Sequence, residues 1–325
     1  MKYIYLDQNK WIELAKGLKN KDKNIISFHK TLVQNVKENV WAFPLSPIHI
    51  NETMKRKDET SRNELLDLMF SLSNGYTICD YMTADSIEFT SWANNKFVDY
   101  CLLKDKIVRH DWVNIVGLSI ENADINFGEH SIPPDKLDKI KQIIKEHCFD
   151  REVFDIVCNS FANKIEEDET FYYECYKDGR KKFLLWKNKI KDLEEYKDKH
   201  LYPAYLIKTF FEVYKEKLLT LSSQMQKNIA ELFEENSKNK TTAIANLEAL
   251  PGFNIHNRLV FELYNNPDKK VHRHDFNDLA YLRVAIPYCD IVIGENYWCD
   301  RVQYYHFDKK YNTTVTTNLL SLISN

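Results

Sequence analysis

Glycine is scarce in this chain, with seven glycines among 325 residues. None of them stand at the spacing of the G-x-G-x-x-G or G-x-x-x-x-G-K motifs, which need glycine because the backbone must approach a phosphate closely. A classical dinucleotide-binding fold and a Walker-type NTPase are therefore disfavoured. The G-x-S-x-G and H-E-x-x-H motifs are absent too, which removes the commonest serine-hydrolase and zinc-protease interpretations.

The chain also lacks a strong excess of one charge, a long apolar run and paired cysteines. The net charge of −3 excludes a globally basic nucleic-acid-binding surface but leaves room for a local basic groove. There is no run of eighteen apolar residues, and the N-terminus resembles a strand, so we expect neither a membrane span nor a signal peptide. The seven cysteines are odd in number and include no Cys-x-x-Cys pair, which predicts free thiols in a cytoplasmic protein.

The hydrophobic pattern divides the chain into three regions. In the first, short apolar runs at 3–6, 40–45 and 76–78 alternate with amphipathic helices, a β-α-β-α-β pattern typical of a parallel sheet covered on both faces. Residues 82–269 have helical periodicity without a convincing strand, and the remainder returns to an α/β pattern. We therefore predict a discontinuous α/β core, residues 1–81 and 270–325, with an all-α insertion at residues 82–269.

Carboxylates follow the predicted strands of this core. Asp7 directly follows the first strand, Glu52 lies just beyond the second, and Glu295 follows the strand at 290–293. Asp275 and Asp278 open a helix, and their i,i+3 spacing puts them on one face. Because ligands bind beyond the carboxyl ends of parallel strands, and clustered carboxylates stay together when a divalent cation neutralises them, this pattern predicts a Mg²⁺ site.

Each carboxylate also has a structural explanation. Asp is a favoured N-cap, so Asp7 could simply begin the helix near Asn9. Glu52 suits the first turn of a helix because of the helix dipole, and Asp275 with Asp278 comes close to a capping box. Glu295 lies in a post-strand loop, where acidic residues are common.

Four segments together resemble the PIN-like nuclease family. They are Tyr5-Leu6-Asp7-Gln8-Asn9, Pro44-Leu45-Ser46-Pro47 through Glu52, Asp275-Phe276-Asn277-Asp278-Leu279-Ala280-Tyr281-Leu282, and Ile286-Pro287-Tyr288-Cys289-Asp290-Ile291-Val292-Ile293-Gly294-Glu295. The resemblance covers about the first eighty and last fifty-five residues. It implies a Rossmann-like parallel sheet flanked by helices, with Asp7, Glu52, Asp278 and Glu295 at the positions of the family's catalytic acids and Asp275 in support.

The resemblance further implies a Mg²⁺- or Mn²⁺-dependent endonuclease that most often acts on RNA, and many relatives are bacterial toxins or antiphage defence effectors. Two departures from the family pattern stand out. The last acid is Glu295, where aspartate or asparagine is commoner, so that Asp300 could compete for the role. The long helical insertion is not part of a minimal PIN domain.

Basic segments with aromatic neighbours suggest where nucleic acid could lie. One precedes the acidic helix directly and contains Lys270, His272, Arg273 and His274. A second contains Lys181 and Lys182, although lysine-rich helix faces are usually solvated. A third runs from Lys104 to His110.

The function predicted from the sequence is metal-dependent hydrolysis of RNA phosphodiester bonds. Two alternatives stay open: a non-catalytic, degenerate PIN-like adaptor whose insertion recognises a partner, and a DNA nuclease or phosphatase that uses the same carboxylates. An inhibitor or activator protein and self-association are further partners that the sequence leaves open.

Overall fold

The computed structural model describes residues 1–117, 134–161, 165–191, 198–234 and 240–323. Its strands are β1 Lys2–Leu6, β2 Trp41–Ala42, β3 Tyr76–Ile78, β4 Val108–His110, β5 Ile291–Ile293 and β6 Thr314–Thr316. Its first eight α-helices are α1 Gln8–Lys19, α2 Lys23–Lys37, α3 Pro47–Met54, α4 Glu59–Ser73, α5 Tyr81–Asn95, α6 Tyr100–Ile107, α7 Pro134–His147 and α8 Arg151–Phe161. The later ones are α9 Ile165–Ile190, α10 Asp198–Thr220, α11 Ser223–Glu234, α12 Lys240–Glu248, α13 Pro251–Asn265, α14 Asp275–Tyr288, α15 Asn296–Tyr304 and α16 Phe307–Lys310.

The chain forms two compact units. The first unit comprises residues 1–83, 104–165 and 288–325, and the second comprises residues 84–103 and 166–287. The boundaries at residues 81 and 270 that the sequence pattern suggests differ from this division. The described part of residues 104–165 is grouped with the first unit, whereas residues 275–287 of α14 are grouped with the second.

The first unit contains a four-stranded parallel sheet in the order β2-β1-β5-β6, which confirms the predicted α/β character. Strands β1 and β5 are its interior strands, and Leu6 is paired with Ile293 at their carboxyl ends. The last three residues of β1, Ile4, Tyr5 and Leu6, are all buried. Burial of successive residues means that both faces of the sheet are covered at this end of the strand, as the non-alternating sequence predicts.

The prediction that residues 76–78 form a third strand of this sheet is wrong. Strand β3 pairs antiparallel with β4 in a separate two-stranded ribbon, and β4 lies in the region where no strand was expected. Only an isolated bridge between Leu45 and Thr77 connects β3 to the segment after β2. The ribbon joins residues 30 to 34 positions apart, a pairing that local hydrophobic periodicity does not encode.

The helices of the first unit begin at strong N-caps and pack closely. Asp22 accepts hydrogen bonds from two backbone N–H groups at the start of α2, and Ser46 forms a capping box with His49 at the start of α3. Gly17 permits the close approach of α1 and α2, because a Cβ there would lie 2.6 Å from the Ile25 side chain. The core beneath contains Trp11, Phe28, Phe43, Trp112 and Phe154.

The second unit is helical and has an aromatic core. The Phe89 and Tyr214 rings stack with centroids 4.4 Å apart, and Phe210 packs edge-on against Phe253 at 5.8 Å. Its buried charges are paired: Arg283 forms an ion pair with Asp85, both largely removed from solvent.

Among the helices that the structure describes, none is both long and apolar enough to cross a membrane.

Candidate metal centre

Asp7 lies at the carboxyl end of the interior strand β1, where the chain turns into α1. Its backbone N–H donates to the Ile293 carbonyl at 2.8 Å, which continues the pairing of β1 with β5. One carboxylate oxygen, Oδ1, accepts a hydrogen bond from the Gln8 N–H at 2.7 Å and so caps the helix. The other, Oδ2, is buried and has no hydrogen-bond partner among the described residues. Asp7 is therefore an N-cap that leaves one oxygen available to a ligand.

The environment of Asp7 disfavours its charged form. Burial, together with the negative charges of Glu52 and Glu295, raises the pKa of this carboxyl group from 3.8 to about 7. The Gln8 N–H and Lys10 oppose the shift without cancelling it. A buried carboxylate with an unpaired oxygen and two acidic neighbours is the kind of site that a divalent cation stabilises, because the cation supplies the missing positive charge.

Glu295 reaches Asp7 from the neighbouring strand. It follows β5 and Gly294 and occupies the N-cap position of α15, but its side chain makes no capping hydrogen bond. Its Oε1 instead accepts a hydrogen bond from Asn9 Nδ2 at 2.5 Å. Asn9 belongs to the first turn of α1, so the helix that Asp7 caps also holds the Glu295 carboxylate in place.

Glu52 is brought to the same edge by α3. That helix is tied to β1 by His49, whose Nε2 lies 2.7 Å from the Leu6 carbonyl, and by Ser46, whose hydroxyl lies 2.8 Å from the Tyr5 hydroxyl. A further bond, from Gln8 Nε2 to Thr53 Oγ1 at 2.9 Å, joins α1 to α3 one residue beyond Glu52. Helix α1, helix α3 and the segment between β5 and α15 thus meet at Asp7.

His49 has a structural role at this site that was not predicted from the sequence. Its Nδ1 accepts a hydrogen bond from the Ser46 N–H at 3.0 Å, so the proton resides on Nε2, which donates to Leu6. Burial lowers its pKa to about 3, and the ring is therefore neutral at physiological pH. The Ser46-Pro47 helix start could have indicated a capping box, but no sequence signal indicates the contact with Leu6.

Asp275 and Asp278 belong to the second unit, where both lie buried in the first turn of α14. Asp275 uses both carboxylate oxygens within its own loop. Oδ1 accepts a hydrogen bond from Lys269 Nζ at 2.9 Å, and Oδ2 accepts one from the His272 N–H at 2.6 Å. These bonds favour a structural role for Asp275, which closes the loop before the helix.

The predicted nucleic-acid contacts are exposed on two connected segments of the second unit. Arg180 on α9 donates to the carbonyls of Asn266 and Lys269, both at 2.7 Å, and so links the helix to the loop before α14. Exposed side chains on the loop are Lys270, His272, Arg273 and His274, and those on α9 are Lys181 and Lys182. Lys182 also pairs with Asp178 at 2.7 Å.

The donor set of the centre consists of carboxylate oxygens, which suits hard cations such as Mg²⁺ and Mn²⁺. Within the first unit the structure brings together Asp7 and Glu295, and Glu52 lies outside this close pair but near enough for its charge to raise the pKa of Asp7. Comparison of the chain with known proteins yields no matching family model, no matching curated protein and no matching solved structure.

Proposed function

We propose that this chain is a metal-dependent endoribonuclease with a PIN-like core, in which Asp7, Asp278 and Glu295 bind Mg²⁺ or Mn²⁺ beside Glu52. The observation that carries the proposal is the buried Oδ2 of Asp7, which lacks a hydrogen-bond partner among the described residues and faces further acids. Within the first unit, one carboxylate oxygen of Asp7 and one of Glu295 lie within 4.8 Å of each other. This separation is close to the distance of about 4 Å between oxygens on opposite sides of Mg²⁺.

The residues around such a site have different roles in metal binding. Oδ1 of Asp7 keeps its hydrogen bond from the Gln8 N–H, which leaves Oδ2 to bind the cation. Asn9 orients the Glu295 carboxylate through its own hydrogen bond. A divalent cation held by these carboxylates would polarise the phosphoryl oxygen and lower the pKa of water, so that hydroxide would be available to attack phosphorus. Hydrolysis of this kind adds water across a P–O bond and needs no protein nucleophile.

The cysteines support a mechanism without a thiol nucleophile. Of the seven, five are buried, and burial raises the pKa of both Cys158 and Cys299 to about 12. Reactive cysteines have the opposite property, a lowered pKa and partial exposure. The free thiols also agree with the cytoplasmic location that we propose, as part of a bacterial toxin or antiphage defence effector under the control of a partner protein.

RNA is the substrate that we favour. The exposed residues Lys270, His272, Arg273 and His274 precede α14 directly, and Lys181 and Lys182 extend the basic surface along α9. Cations on a loop next to a candidate ligand helix suit contact with the phosphates that flank a scissile bond. DNA is the alternative substrate, and the experiment below separates the two.

The decisive experiment compares cleavage of single-stranded RNA and DNA of the same sequence, in Mn²⁺ and in chelator. We expect the wild-type protein to cleave RNA only with the metal, and Asp7→Asn to lower the rate by about a thousandfold, roughly 4 kcal/mol of activation free energy. The matched control is Glu13→Gln, which removes an exposed carboxylate from the same helix and should leave the rate unchanged. Cleavage that persists in both Asp7→Asn and Asp278→Asn would refute the site.

A second candidate is a PIN-like binding protein without catalytic activity. Large apolar side chains are exposed on helices of the second unit, among them Phe171 at 62%, Leu185 at 63% and Leu219 at 75%. A protein partner would cover such groups where they form one contiguous patch. Absence of cleavage of either nucleic acid, together with no heat of Mn²⁺ binding in calorimetry, would support this candidate instead.

A further inference from the structure

A polar and aromatic hollow lies on the β3–β4 ribbon of the first unit. Its volume is about 430 Å³, within the range of small-molecule sites. It is formed by the ribbon, the start of β1 and the end of α7. The side chains that matter for its chemistry are Tyr3, Tyr76, Arg109, His110, Asp111 and Lys145.

Aromatic rings form a continuous row along this hollow. The Tyr3 and Tyr76 centroids are 5.6 Å apart, Tyr76 stacks on His110 at 4.7 Å, and His110 stacks on Phe149 at 5.0 Å. Gly75 is required beneath the row: its φ is +79°, and a Cβ there would lie 2.7 Å from the His110 ring. His110 is further fixed by a 2.9 Å hydrogen bond between its Nε2 and the Asn74 carbonyl. The rings are therefore held in place before any ligand arrives.

Charged groups stand beside the rings in fixed positions. The Arg109 guanidinium pairs with Asp111 at 2.9 Å, and the buried Asp111 carboxylate also accepts the Asn114 N–H at 2.7 Å. Lys145 is an exposed cation on α7, and Asp105 is the second acid of the lining.

The two tyrosine hydroxyls keep their protons over the physiological pH range. Burial raises the pKa of Tyr3 to about 12 and also raises the pKa of Tyr76. The hollow thus presents stacking surfaces, hydroxyl donors, a carboxylate acceptor and cations together.

We propose that this hollow binds a nucleotide, with the base against the Tyr76–His110 row and the phosphate on Lys145 and Arg109. Because the rings of the row stack on one another, a nucleobase would lie with its π-face against their edges, an arrangement that aromatic groups favour. Its exocyclic amino groups suit a carboxylate acceptor, and its carbonyl groups suit tyrosine hydroxyls. The phosphate suits a lysine and a guanidinium. The hollow contains none of Asp7, Glu52 or Glu295, so the proposal stands whether or not those carboxylates support hydrolysis.

Calorimetric titration in chelator tests the proposal without involving the metal centre. The probes are AMP, GMP, CMP and UMP, with inorganic phosphate as the probe that lacks a base. We expect at least one nucleotide to bind about tenfold or more tightly than phosphate. Lys145→Ala should weaken that nucleotide about tenfold, and Tyr76→Leu should abolish its binding. Lys139→Ala, an exposed lysine on the same helix, is the matched control and should bind as the wild type does.

Three results would overturn the proposal: no heat with any nucleotide, equal affinity for phosphate and nucleotides, or unchanged affinity in the folded Lys145→Ala variant. Lys145 is exposed, so this variant keeps the test valid even where Tyr76→Leu does not fold. A trinucleotide of the preferred base distinguishes the two sources of the ligand. Tighter binding of the trinucleotide indicates a nucleotide within a strand, and equal binding indicates a free nucleotide. Nucleotide binding in a chain that cleaves nothing would refute the nuclease but retain this site.

Discussion

Buried carboxylates of the second unit have hydrogen-bond or ion-pair partners, and Asp7 of the first unit differs from them. In the second unit, Asp85 forms an ion pair with buried Arg283, and Glu88 accepts the Gly252 N–H at 2.8 Å. Asp275, in the same unit, engages both of its oxygens. In the first unit, Asp7 engages one oxygen and leaves the other buried without a hydrogen-bond partner among the described residues.

The difference separates carboxylates that stabilise the fold from one that is available for chemistry. A buried charge with its partners in place is electrostatically satisfied, whereas an incompletely paired one shifts its pKa or binds a cation. The raised pKa of Asp7, about 7, reflects burial and the acids around it. Burial alone therefore does not identify a functional carboxylate. Its hydrogen-bond and ion-pair partners must be considered as well.

The largest effect should come from breaking the buried pair of the second unit. Asp85→Ala leaves Arg283 as an uncompensated buried charge, so we expect the free energy of unfolding in urea to fall by about 3–5 kcal/mol. The double variant Asp85→Leu with Arg283→Met should recover most of that loss, because it removes both charges. A loss below about 1 kcal/mol in the single variant would mean that the pair is not a structural element.

Asp7→Asn should act in the opposite direction and stabilise the metal-free protein. The folded-state pKa of Asp7, about 7, lies above its ordinary value of 3.8, so the folded state binds the extra proton between these pH values. The contribution of this group to stability is present at low pH and is lost as pH rises through the folded pKa. We expect the variant to match the wild type near pH 4 and to exceed it by about 2–4 kcal/mol near pH 8.

Urea unfolding across this pH range provides the measurement for Asp7→Asn. Glu13→Gln is the control, because Glu13 is exposed on the same helix and pairs only across the helix surface with Lys10. Equal stability of Asp7→Asn and wild type at pH 8 would show that Asp7 is fully satisfied, and the contrast between the units would disappear.

Metal binding should stabilise the wild-type protein through Asp7 but not through Asp275. At a Mn²⁺ concentration of about 100 times the Kd, the free energy of unfolding should rise by about 2.7 kcal/mol. Asp7→Asn should abolish this increment. Asp275→Asn should keep it, although the loss of the charged bond to Lys269 lowers the baseline stability. Loss of the increment in Asp275→Asn would place Asp275 among the ligands.

The smallest expected effect concerns the residue that orients Glu295. Asn9→Ala removes the hydrogen bond to Glu295 Oε1, and we expect calorimetry to show about tenfold weaker Mn²⁺ binding, roughly 1.4 kcal/mol. The control is Asn20→Ala at the exposed C-terminal end of the same helix. Unchanged Mn²⁺ affinity in Asn9→Ala would show that Glu295 does not need this orientation.

Much of the local structure was predictable from the sequence. The strands at 3–6, 290–293 and 315–316 are confirmed, and the helix after Asp7 begins where the capping residue indicates. Short-range preferences explain this success, because a strand or a capped helix end is largely specified by neighbouring residues. The long-range features were not predictable: the β3–β4 ribbon, the packing of residues 104–165 with the first unit, and the contact of His49 with Leu6.

The sequence by itself determined that an aspartate ends an apolar strand and caps a helix, since both properties arise within a few residues of Asp7. Only the tertiary structure decided that its second oxygen is buried without a hydrogen-bond partner in the part of the chain described, next to Glu52 and Glu295. That result requires β1 to pair with β5, almost three hundred residues later, and α3 to dock through His49. The physical reason is that burial and electrostatic neighbours are properties of assembled elements, which no local pattern of residues contains.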